Sequence, residues 1–414
     1  MSTRKEKIPT VRFRAFSEPW FQNQLSEVAE FSKGRGYSKK DIQPQGTPII
    51  LYGRLYTKYE SVISNIGTYA NMEKNSVISE GGEVIIPASG ESAAEISRAS
   101  CVTDGGVILG GDINIVKPHE SLDSSFIAIT LSNGSQQREL SKRAQGKSVV
   151  HLHNSDLKAV KLFYPSYEEQ FAIGSLFRNI DDLLASYKDN LINYQSLKAT
   201  MLSKMFPKAG QTVPEIRLDG FEGEWKVQSL KELARFSKGN GYTKSDLVNS
   251  GNEIILYGQL YTNYQTVISM VNTFVLETRE KSVISKGGEV VVPASGESAE
   301  DISRASVIEK SGVIIGGDLN IIYPDENKVD SIFLALTISN GSQQKELIKR
   351  AQGKSVVHLR NNDLEKVVLH YPSMEEQRAI GLYFSNLDNL INSYQEKISQ
   401  LETLKKKLLQ DMFI

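Results

Sequence analysis

Two segments of the chain, residues 165–207 and 372–414, carry apolar side chains at every third or fourth position. In the first segment this pattern runs without a proline from Ile173 to Met205. The spacing predicts one long amphipathic helix in each segment, about 40 residues and roughly 60 Å long. Because so long an apolar stripe must be covered, we expect the two helices to pack against each other.

Both predicted helices begin with the same cap signal. Ser166 with Glu169, and Ser373 with Glu376, have the capping-box spacing, in which serine binds a backbone N–H of the first turn and glutamate reaches back to the cap. The pattern therefore predicts a reciprocal cap at each helix start.

The two helices belong to a tandem duplication that covers nearly the whole chain. FSKGRGYSKKD at residues 31–41 recurs as FSKGNGYTKSD at a shift of 205, and KRAQGKSVVHL at 142–152 recurs at a shift of 207. So long a period excludes a solenoid and indicates two copies of one domain, each followed by its helix. The predicted division is a first globular domain at 1–164, a helix at 165–207, a second globular domain at 208–371 and a helix at 372–414.

Short apolar runs separated by Gly and Pro predict a mixed α+β fold for each globular domain. In the first copy we expect a short helix, then strands, a second helix, a last strand and the long helix. The predicted elements are a helix near 25–31, strands near 49–51, 84–87 and 107–116, a helix at 126–143 and a strand near 160–164. The fold class is thus α+β, with two similar α/β globules separated by two long helices in a pseudo-twofold arrangement.

Composition changes this picture in three ways. The 414 residues carry 48 Lys+Arg against 49 Asp+Glu, so any surface for nucleic acid must come from segregated charge. The single cysteine, Cys101, excludes an internal disulfide framework and suits a cytoplasmic protein. No apolar run is long enough to span a bilayer, so we expect no membrane association.

The sequence contains no recognised catalytic motif repeated in both copies. The segment Gln145–Ser148 resembles the end of a phosphate-binding loop, but Ser141 stands where that motif needs glycine. His151 and His358 are repeated, and their apolar neighbours favour a packed residue at a strand end over a metal ligand. We therefore expect no catalytic centre, no metal and no cofactor, although an enzyme with an unrecognised site stays open.

Both copies share loops that combine glycine with basic, amide and aromatic side chains. Such loops bring backbone close to phosphate, while Lys and Arg neutralise it and Arg, Gln or Asn read base edges. Between the copies Arg35 becomes Asn240, a change from a side chain that pairs with guanine to one that pairs with adenine. Arg54 likewise becomes Gln259, and Lys58 becomes Asn263. A change of base preference and drift on an exposed surface both explain these differences.

The ordered set of repeated phrases resembles the specificity (S) subunits of Type I restriction–modification systems over the full length. The phrases are GRGYSKKDI, LYGRLYT, PASGES, RAQGKSVVHL and the Pro-x-x-x-Glu-Gln start of each long helix. This resemblance implies two target-recognition domains, each reading one half of an interrupted site in double-stranded DNA. It also implies an antiparallel coiled coil that sets their spacing and docks two methyltransferase (M) subunits, with restriction (R) subunits joining the full complex. The family's members often have unlike recognition domains, whereas here the two are close copies, so we expect a near-palindromic site. A stand-alone DNA-binding or scaffolding protein is the alternative.

Candidate DNA-binding residues follow from the shared loops. Those at Lys142, Arg143 and Lys147 are expected on phosphates, and the loop residues before them on bases or phosphates. In the first copy the candidates are Lys33, Arg35, Tyr37, Lys39, Arg54, Tyr56, Lys58, Ser89, Arg98, Lys142, Arg143 and Lys147. In the second they are Lys238, Asn240, Tyr242, Lys244, Gln259, Tyr261, Asn263, Ser295, Arg304, Lys349, Arg350 and Lys354.

Overall fold

A computed structural model describes residues 8–146, 149–353 and 356–414. Their contacts divide the chain into two compact units, and the division cuts both long helices. The first unit contains the described residues up to Lys188 together with Glu396–Ile414, and the second contains those within Asp189–Gln395. Each unit therefore combines one globule, the first part of that copy's long helix and the last part of the other copy's helix.

The first copy forms short strands, short helices and one long helix. Its strands are β1 (Phe21–Gln24), β2 (Ala29–Lys33), β3 (Ile42–Gln43), β4 (Thr47–Ile50), β5 (Val62–Ile63), β6 (Tyr69–Ala70), β7 (Glu83–Pro87), β8 (Ser89–Gly90), β9 (Ser100–Val102), β10 (Ile108–Leu109), β11 (Ile113–Pro118), β12 (Val150–His151) and β13 (Lys161–Tyr164). Its helices are α1 (Leu25–Val28), α2 (Arg54–Thr57), α3 (Ala93–Ile96), α4 (Ser124–Leu131), α5 (Gly134–Arg143), α6 (Asn154–Lys158) and α7 (Tyr167–Lys204).

The centre of the globule is a five-stranded sheet in the order β2-β11-β7-β9-β5. All its neighbours pair antiparallel except β5 and β9, which are parallel. Val84 and Ile86 of β7 lie in the core that contains α4, while Ile85 faces a second core with Ile50 of the smaller sheet β10-β4-β6-β3. Because both faces are covered, the strand is apolar at successive positions rather than at alternate ones.

The single helix expected at 126–143 is wrong, because the chain breaks it into α4 and α5. The Ser132 hydroxyl donates to the carbonyl of Ala99 (3.1 Å) and accepts from the Ala99 N–H (2.7 Å), which ties the end of α4 to β9. Gly134 then takes a left-handed backbone, with φ +63°. The expected helix at 25–31 is likewise shorter, because β2 begins at Ala29.

The second copy repeats this order. Its strands are β14 (Lys226–Ser229), β15 (Ala234–Lys238), β16 (Leu247–Val248), β17 (Asn252–Ile255), β18 (Val267–Ile268), β19 (Phe274–Val275), β20 (Val283–Ile284), β21 (Glu289–Pro293), β22 (Ser295–Gly296), β23 (Ser306–Ile308), β24 (Ile314–Ile315), β25 (Leu319–Pro324), β26 (Val357–His358) and β27 (Val368–Tyr371). Its helices are α8 (Leu230–Leu233), α9 (Gln259–Thr262), α10 (Ala299–Ile302), α11 (Ser331–Ile338), α12 (Gly341–Arg350), α13 (Asn361–Leu364) and α14 (Met374–Asp411).

At the start of α14 the Ser373 hydroxyl accepts from the Glu376 N–H (3.3 Å) as the capping box predicts, but the glutamates that the prediction assigned to the caps are bound by arginines instead. Glu169 receives two hydrogen bonds from the guanidinium of Arg12, both 2.7 Å, and Glu376 is bound in the same way by Arg217. Glu169 is fully buried, so loss of Arg12 would leave an uncompensated charge. Gln170 accepts from the N–H of Asp123 (3.0 Å) at the start of α4, so the Glu-Gln pair docks the helix on its globule.

In each unit the two long helices pack in opposite directions. In the first unit Asp181 of α7 pairs with Lys405 of α14, and Lys188 pairs with Glu402 at 2.7 Å, so the numbering rises along one helix as it falls along the other. In the second unit the rings of Tyr194 and Tyr394 stack with centroids 5.5 Å apart, and Lys198 of α7 pairs with Asp388 of α14, so the numbering again runs in opposite directions. The predicted antiparallel pairing of the helices is confirmed in each unit.

Each long helix ends in the core of the other copy's globule. In the first unit Phe413 lies 5.9 Å from the ring of Phe126 and 5.9 Å from that of Phe177. In the second unit Phe206 lies against Phe333 and Phe384, at 5.9 and 6.2 Å. Both terminal phenylalanines are almost fully buried, so each globule's core is completed by the other copy's helix.

This exchange predicts that a chain cut in the link at 208–220 reassembles from its halves. We expect halves with different tags, produced together, to co-purify, because Phe206 and Phe413 each complete the other half's core. A second half carrying Phe413→Ala should associate more weakly, since loss of a buried phenylalanine costs about 3–5 kcal/mol. Halves that elute separately in size-exclusion chromatography would contradict the pairing.

Candidate nucleic-acid interface

Several candidate residues lie on loops at one end of the central sheet. In the register, Lys33 at the end of β2 stands opposite Asn114, and Pro87 at the end of β7 stands opposite Ile113 at the start of β11. The turn after β2, the turn before β11 and the strand β8 after β7 therefore meet at this end. We call this end of the sheet the loop edge; in the second copy the same register joins Lys238 to Asn320.

The loop edge is held together through its backbone. The N–H of Gly111 donates to the carbonyl of Gly36 (2.6 Å), and the N–H of Ala88 donates to that of Asp112 (2.8 Å). Gly34 approaches the Gly110 carbonyl so closely that a Cβ atom would lie 1.9 Å from its oxygen. Glycine is thus required for this contact, and the neighbouring Lys33 and Arg35 side chains are exposed on a fixed backbone.

Tyr37 and Tyr242 serve as internal supports of this edge. Both have left-handed backbones, with φ of 58° and 56°, which non-glycine residues seldom adopt. The Tyr242 ring is buried, and its hydroxyl accepts from the N–H of Arg279 (2.8 Å) and donates to the carbonyl of Glu277 (3.1 Å). The tyrosine therefore fixes the loop that follows β19 against the loop that follows β15.

The second candidate group forms the one-turn helices α2 and α9 rather than loops. The Arg54 guanidinium donates to Glu60 (2.6 Å) and to the carbonyl of Asn65 (2.8 Å), and only 14% of its side chain is exposed. Gln259, at the matching position, donates to the hydroxyl of Thr273 (2.7 Å). Both side chains thus have partners within their own domain, and Lys58, although mostly exposed, also pairs with Glu60 at 3.5 Å.

The other candidates in these loops differ in their exposure and in their hydrogen-bond partners. Lys39, Lys40 and Lys244 lie in short 3-10 turns and are exposed. Ser89 pairs with His151 across β8 and β12, so this histidine is at a strand end as expected, but it is exposed rather than packed. Asn240 and Asn263 are exposed, and the buried Ser295 donates to Asp318 (3.3 Å).

The third basic group lies on α5 and α12. Lys142 and Lys349 are exposed, whereas Arg143 pairs with Glu139 at 2.8 Å and Arg350 pairs with Glu346. These arginines are therefore partly neutralised by carboxylates one turn earlier. Lys147 and Lys354 lie outside the described residues.

Arg98 and Arg304 occupy a different environment, beside the long helices. The Arg98 guanidinium lies 5.4 Å from the centroid of the Tyr59 ring in a cleft of about 330 Å³, which Lys405 of α14 also lines. The second unit has the equivalent cleft of about 230 Å³, with Arg304 over Tyr264. Burial raises the pKa of Tyr59 to about 12, so its hydroxyl stays protonated and donates to the carbonyl of Ala99 (3.3 Å).

The remaining aromatic candidates pack on their neighbours. The Tyr56 ring lies 6.1 Å from that of Tyr52, and Tyr261 lies 6.3 Å from Tyr257. Burial is the main cause that raises the pKa of Tyr56, and the nearby carboxylates of Glu91 and Glu95 add to it. Burial likewise raises the pKa of Tyr261, so Tyr56 and Tyr261 present a protonated hydroxyl at neutral pH.

Arg279 was missed by the sequence analysis. It lies on the loop between β19 and β20, where the repeat shift changes from 205 to 206, and it replaces Glu73 of the first copy. Its guanidinium stacks on the Tyr242 ring and pairs with Asp246. The one-residue insertion shows that this loop differs between the copies. The contacts of Arg279, however, join residues more than 30 positions apart, so they leave no local pattern in the sequence.

Among the described residues, no group of three or more His, Cys, Asp or Glu side chains is placed to hold a metal ion. No helix in the part of the chain that the structure describes is long and apolar enough to cross a membrane. What the loop edge offers chemically is exposed cations and amides on a rigid frame, an arrangement suited to phosphates and base edges.

Comparisons of the sequence and of the fold with known proteins all point to the same family. The family model described as the Type I restriction modification DNA specificity domain matches residues 17–194 and again 222–403. The MjaVIII specificity subunit of the Type I restriction enzyme of Methanocaldococcus jannaschii is 20% identical over 95% of this chain and 91% of that protein. A putative type I specificity subunit of Mycoplasma genitalium is 23% identical over 95% and 94%. The crystal structure of a Type-I restriction-modification S subunit from M. genitalium superposes with a TM-score of 0.62 at 15% identity, over 98% of this chain and 99% of that one, and thus has the same fold.

The contacts of Arg54 predict that Arg54→Gln lowers stability. Glu60 would keep only its 3.5 Å pair with Lys58, and the Asn65 carbonyl would lose its donor, at a cost of about 1 kcal/mol. Arg35→Asn, at an exposed position, should change the free energy of unfolding by less than about 0.5 kcal/mol. Denaturant unfolding of the two variants tests this. Unchanged stability of Arg54→Gln together with an altered base preference would instead support the reading role inferred from the sequence.

Proposed function

Because the chain belongs to the Type I restriction–modification DNA specificity family, we propose that each of its globular domains reads one half of an interrupted DNA site with its loop edge. The observation that supports this is the repetition, in both copies, of a rigid edge with exposed basic and amide side chains. Lys33 and Arg35 in the first copy correspond to Lys238 and Asn240 in the second. Lysine and arginine neutralise phosphate, while arginine and asparagine also pair with purine edges in the major groove.

The reaction itself belongs to other subunits, since the specificity subunits of this family are non-catalytic. We therefore assign methylation to two methyltransferase subunits bound to this chain, and cleavage to restriction subunits in the full complex. The chain's own part is to select the sequence and to position these partners on it.

The paired helices supply a surface for the methyltransferase partners in this proposal. They leave several large apolar side chains exposed, and the proposal assigns these side chains to the contact with the partner subunits. On α7, Phe171 is 53% and Ile192 62% exposed, and on α14, Leu382 is 62% exposed. The same helices would set the number of unspecified base pairs between the half-sites.

The two half-sites should be similar but not identical. Most loop-edge residues are shared, which favours similar halves in inverted order. The exposed differences Arg35 to Asn240 and Lys58 to Asn263 change the donors that each edge offers. The target should therefore be near-palindromic.

Mapping of adenine methylation in the native genome, with and without this chain, tests the proposal. We expect one interrupted motif with two related, inverted halves to lose its methylation when the gene is deleted. Affinity purification should recover about two methyltransferase subunits per chain. Unchanged methylation and recovery of the chain alone would instead favour a stand-alone DNA-binding or scaffolding protein.

A matched lengthening of both helices tests the spacing role. Seven residues inserted after Lys188 and seven after Gln395 fall where the two units divide, so each unit's contacts are kept. The added helix is about 10 Å, the length of roughly three base pairs. We expect a wider gap and unchanged half-sites in methylation sequencing, whereas an insertion in one helix only should reduce activity. An unchanged gap would exclude the helices as the spacer.

A further inference from the structure

The Arg279 side chain is held on two sides in the second globule. Its guanidinium carbon lies 4.3 Å from the centroid of the Tyr242 ring, and Nη2 donates to the carboxylate of Asp246. About half of the side chain, 53%, remains exposed. The planar group is thus fixed in orientation and yet accessible from outside.

The supports of Arg279 are themselves fixed. Tyr242 is buried with a left-handed backbone, and its hydroxyl accepts from the Arg279 N–H, so ring and arginine backbone are joined directly. Asp246 accepts from the N–H of Thr243 (2.7 Å) and from its hydroxyl (3.1 Å). The Thr243 backbone and then the Arg279 guanidinium lower the pKa of Asp246, so the carboxylate is charged at neutral pH.

A guanidinium held in this way loses little further conformational freedom when it binds. It carries five N–H donors in a planar fork, and the carboxylate of Asp246 engages Nη2. The remaining donors match O6 and N7 of guanine, which accept a bidentate pair in the major groove. Phosphate also binds arginine, but it does not require the fixed plane that stacking and the carboxylate impose here.

We propose that Arg279 is a specificity-determining residue that reads one guanine of the second half-site, with its plane set by Tyr242 and Asp246. This inference rests on the proposed function and deepens it for one domain. Arg279 lies outside the shared loops from which the candidate DNA-binding residues were chosen.

The first globule keeps the supports but lacks the arginine. Tyr37 has the same left-handed backbone, and Asp41 accepts from the N–H of Ser38 (2.6 Å) as Asp246 does from that of Thr243. Glu73 occupies the equivalent position, and its N–H donates to the Tyr37 hydroxyl (3.1 Å). The first half-site should therefore lack this guanine preference, and the first copy provides a matched control.

The test uses the full chain in its native complex and duplexes that contain the mapped site. Each guanine of the second half-site is replaced in turn by 7-deazaguanine, which lacks the N7 acceptor. For the unaltered protein we expect one position at which binding weakens roughly 5- to 100-fold. In Arg279→Met, which keeps much of the side chain's length but has no hydrogen-bond donor, the site and its 7-deaza form should bind alike.

Three further variants separate base reading from a structural role. Asp246→Asn keeps Arg279 but weakens the ion pair that orients its guanidinium plane. Discrimination at that guanine should therefore fall, while affinity for random duplex is retained or increases. Asp41→Asn, the same change in the first copy, should leave discrimination in both half-sites unchanged. Glu73→Arg should give the first half-site a new guanine preference. Thermal unfolding of each variant checks that the fold is kept.

Two results would overturn the proposal. One is an Arg279→Met protein that still discriminates the 7-deaza site. The other is an equal loss of affinity for every duplex in Arg279→Ala, which would identify a phosphate contact. Either result leaves the DNA-recognition role intact if the unaltered protein binds its site specifically, whereas absence of any specific binding would refute the proposed function itself.

Discussion

Burial of an aromatic helix end in the other copy's core is the constraint on which the fold depends. A 38-residue amphipathic helix needs tertiary packing. Here each helix is followed directly by a phenylalanine, Phe206 after α7 and Phe413 after α14, that packs against aromatic rings in the other copy's core. Neither copy can complete its core from its own residues. Tandem duplication in one chain guarantees a partner at high local concentration, so the same contacts that stabilise each globule also keep the helices paired.

The proposed function places DNA recognition at the sheet end because the rest of the sheet is covered. Its two faces are buried against α4 and against the smaller sheet, which leaves the strand ends and their loops to meet a ligand. These loops are unusually constrained for connecting segments. The Gly34 contact and the left-handed Tyr37 fix the backbone, so an exposed side chain can change without moving its neighbours.

Local patterns in the sequence predicted the elements whose formation is local. The two long helices follow from their apolar period, and the duplication follows from its repeated phrases. The dipeptide Asn133-Gly134 is a local turn signal for the break between α4 and α5, but the contact that fixes the break joins Ser132 to Ala99, 33 residues away, and was not predictable. The same holds for Glu169, whose partner Arg12 is 157 residues distant, and for Arg54, whose charge suggested DNA until its pairing with Glu60 was visible. Exposure and residue type identify candidates, but only tertiary contacts show which side chains are already engaged.

The two copies differ where a difference costs little. The buried pair Arg12–Glu169 recurs as Arg217–Glu376, because loss of either partner would leave a charge without compensation inside the protein. At the exposed position of Glu73 the second copy instead has Arg279, and the Tyr and Asp residues that surround it were already present in both. One substitution with a one-residue insertion thus converts a solvent-exposed carboxylate into an oriented guanidinium without a change to the core. Under the proposed function, a duplicated scaffold of this kind lets the two DNA-recognition surfaces diverge independently while the helices and the partner subunits assigned to them stay the same.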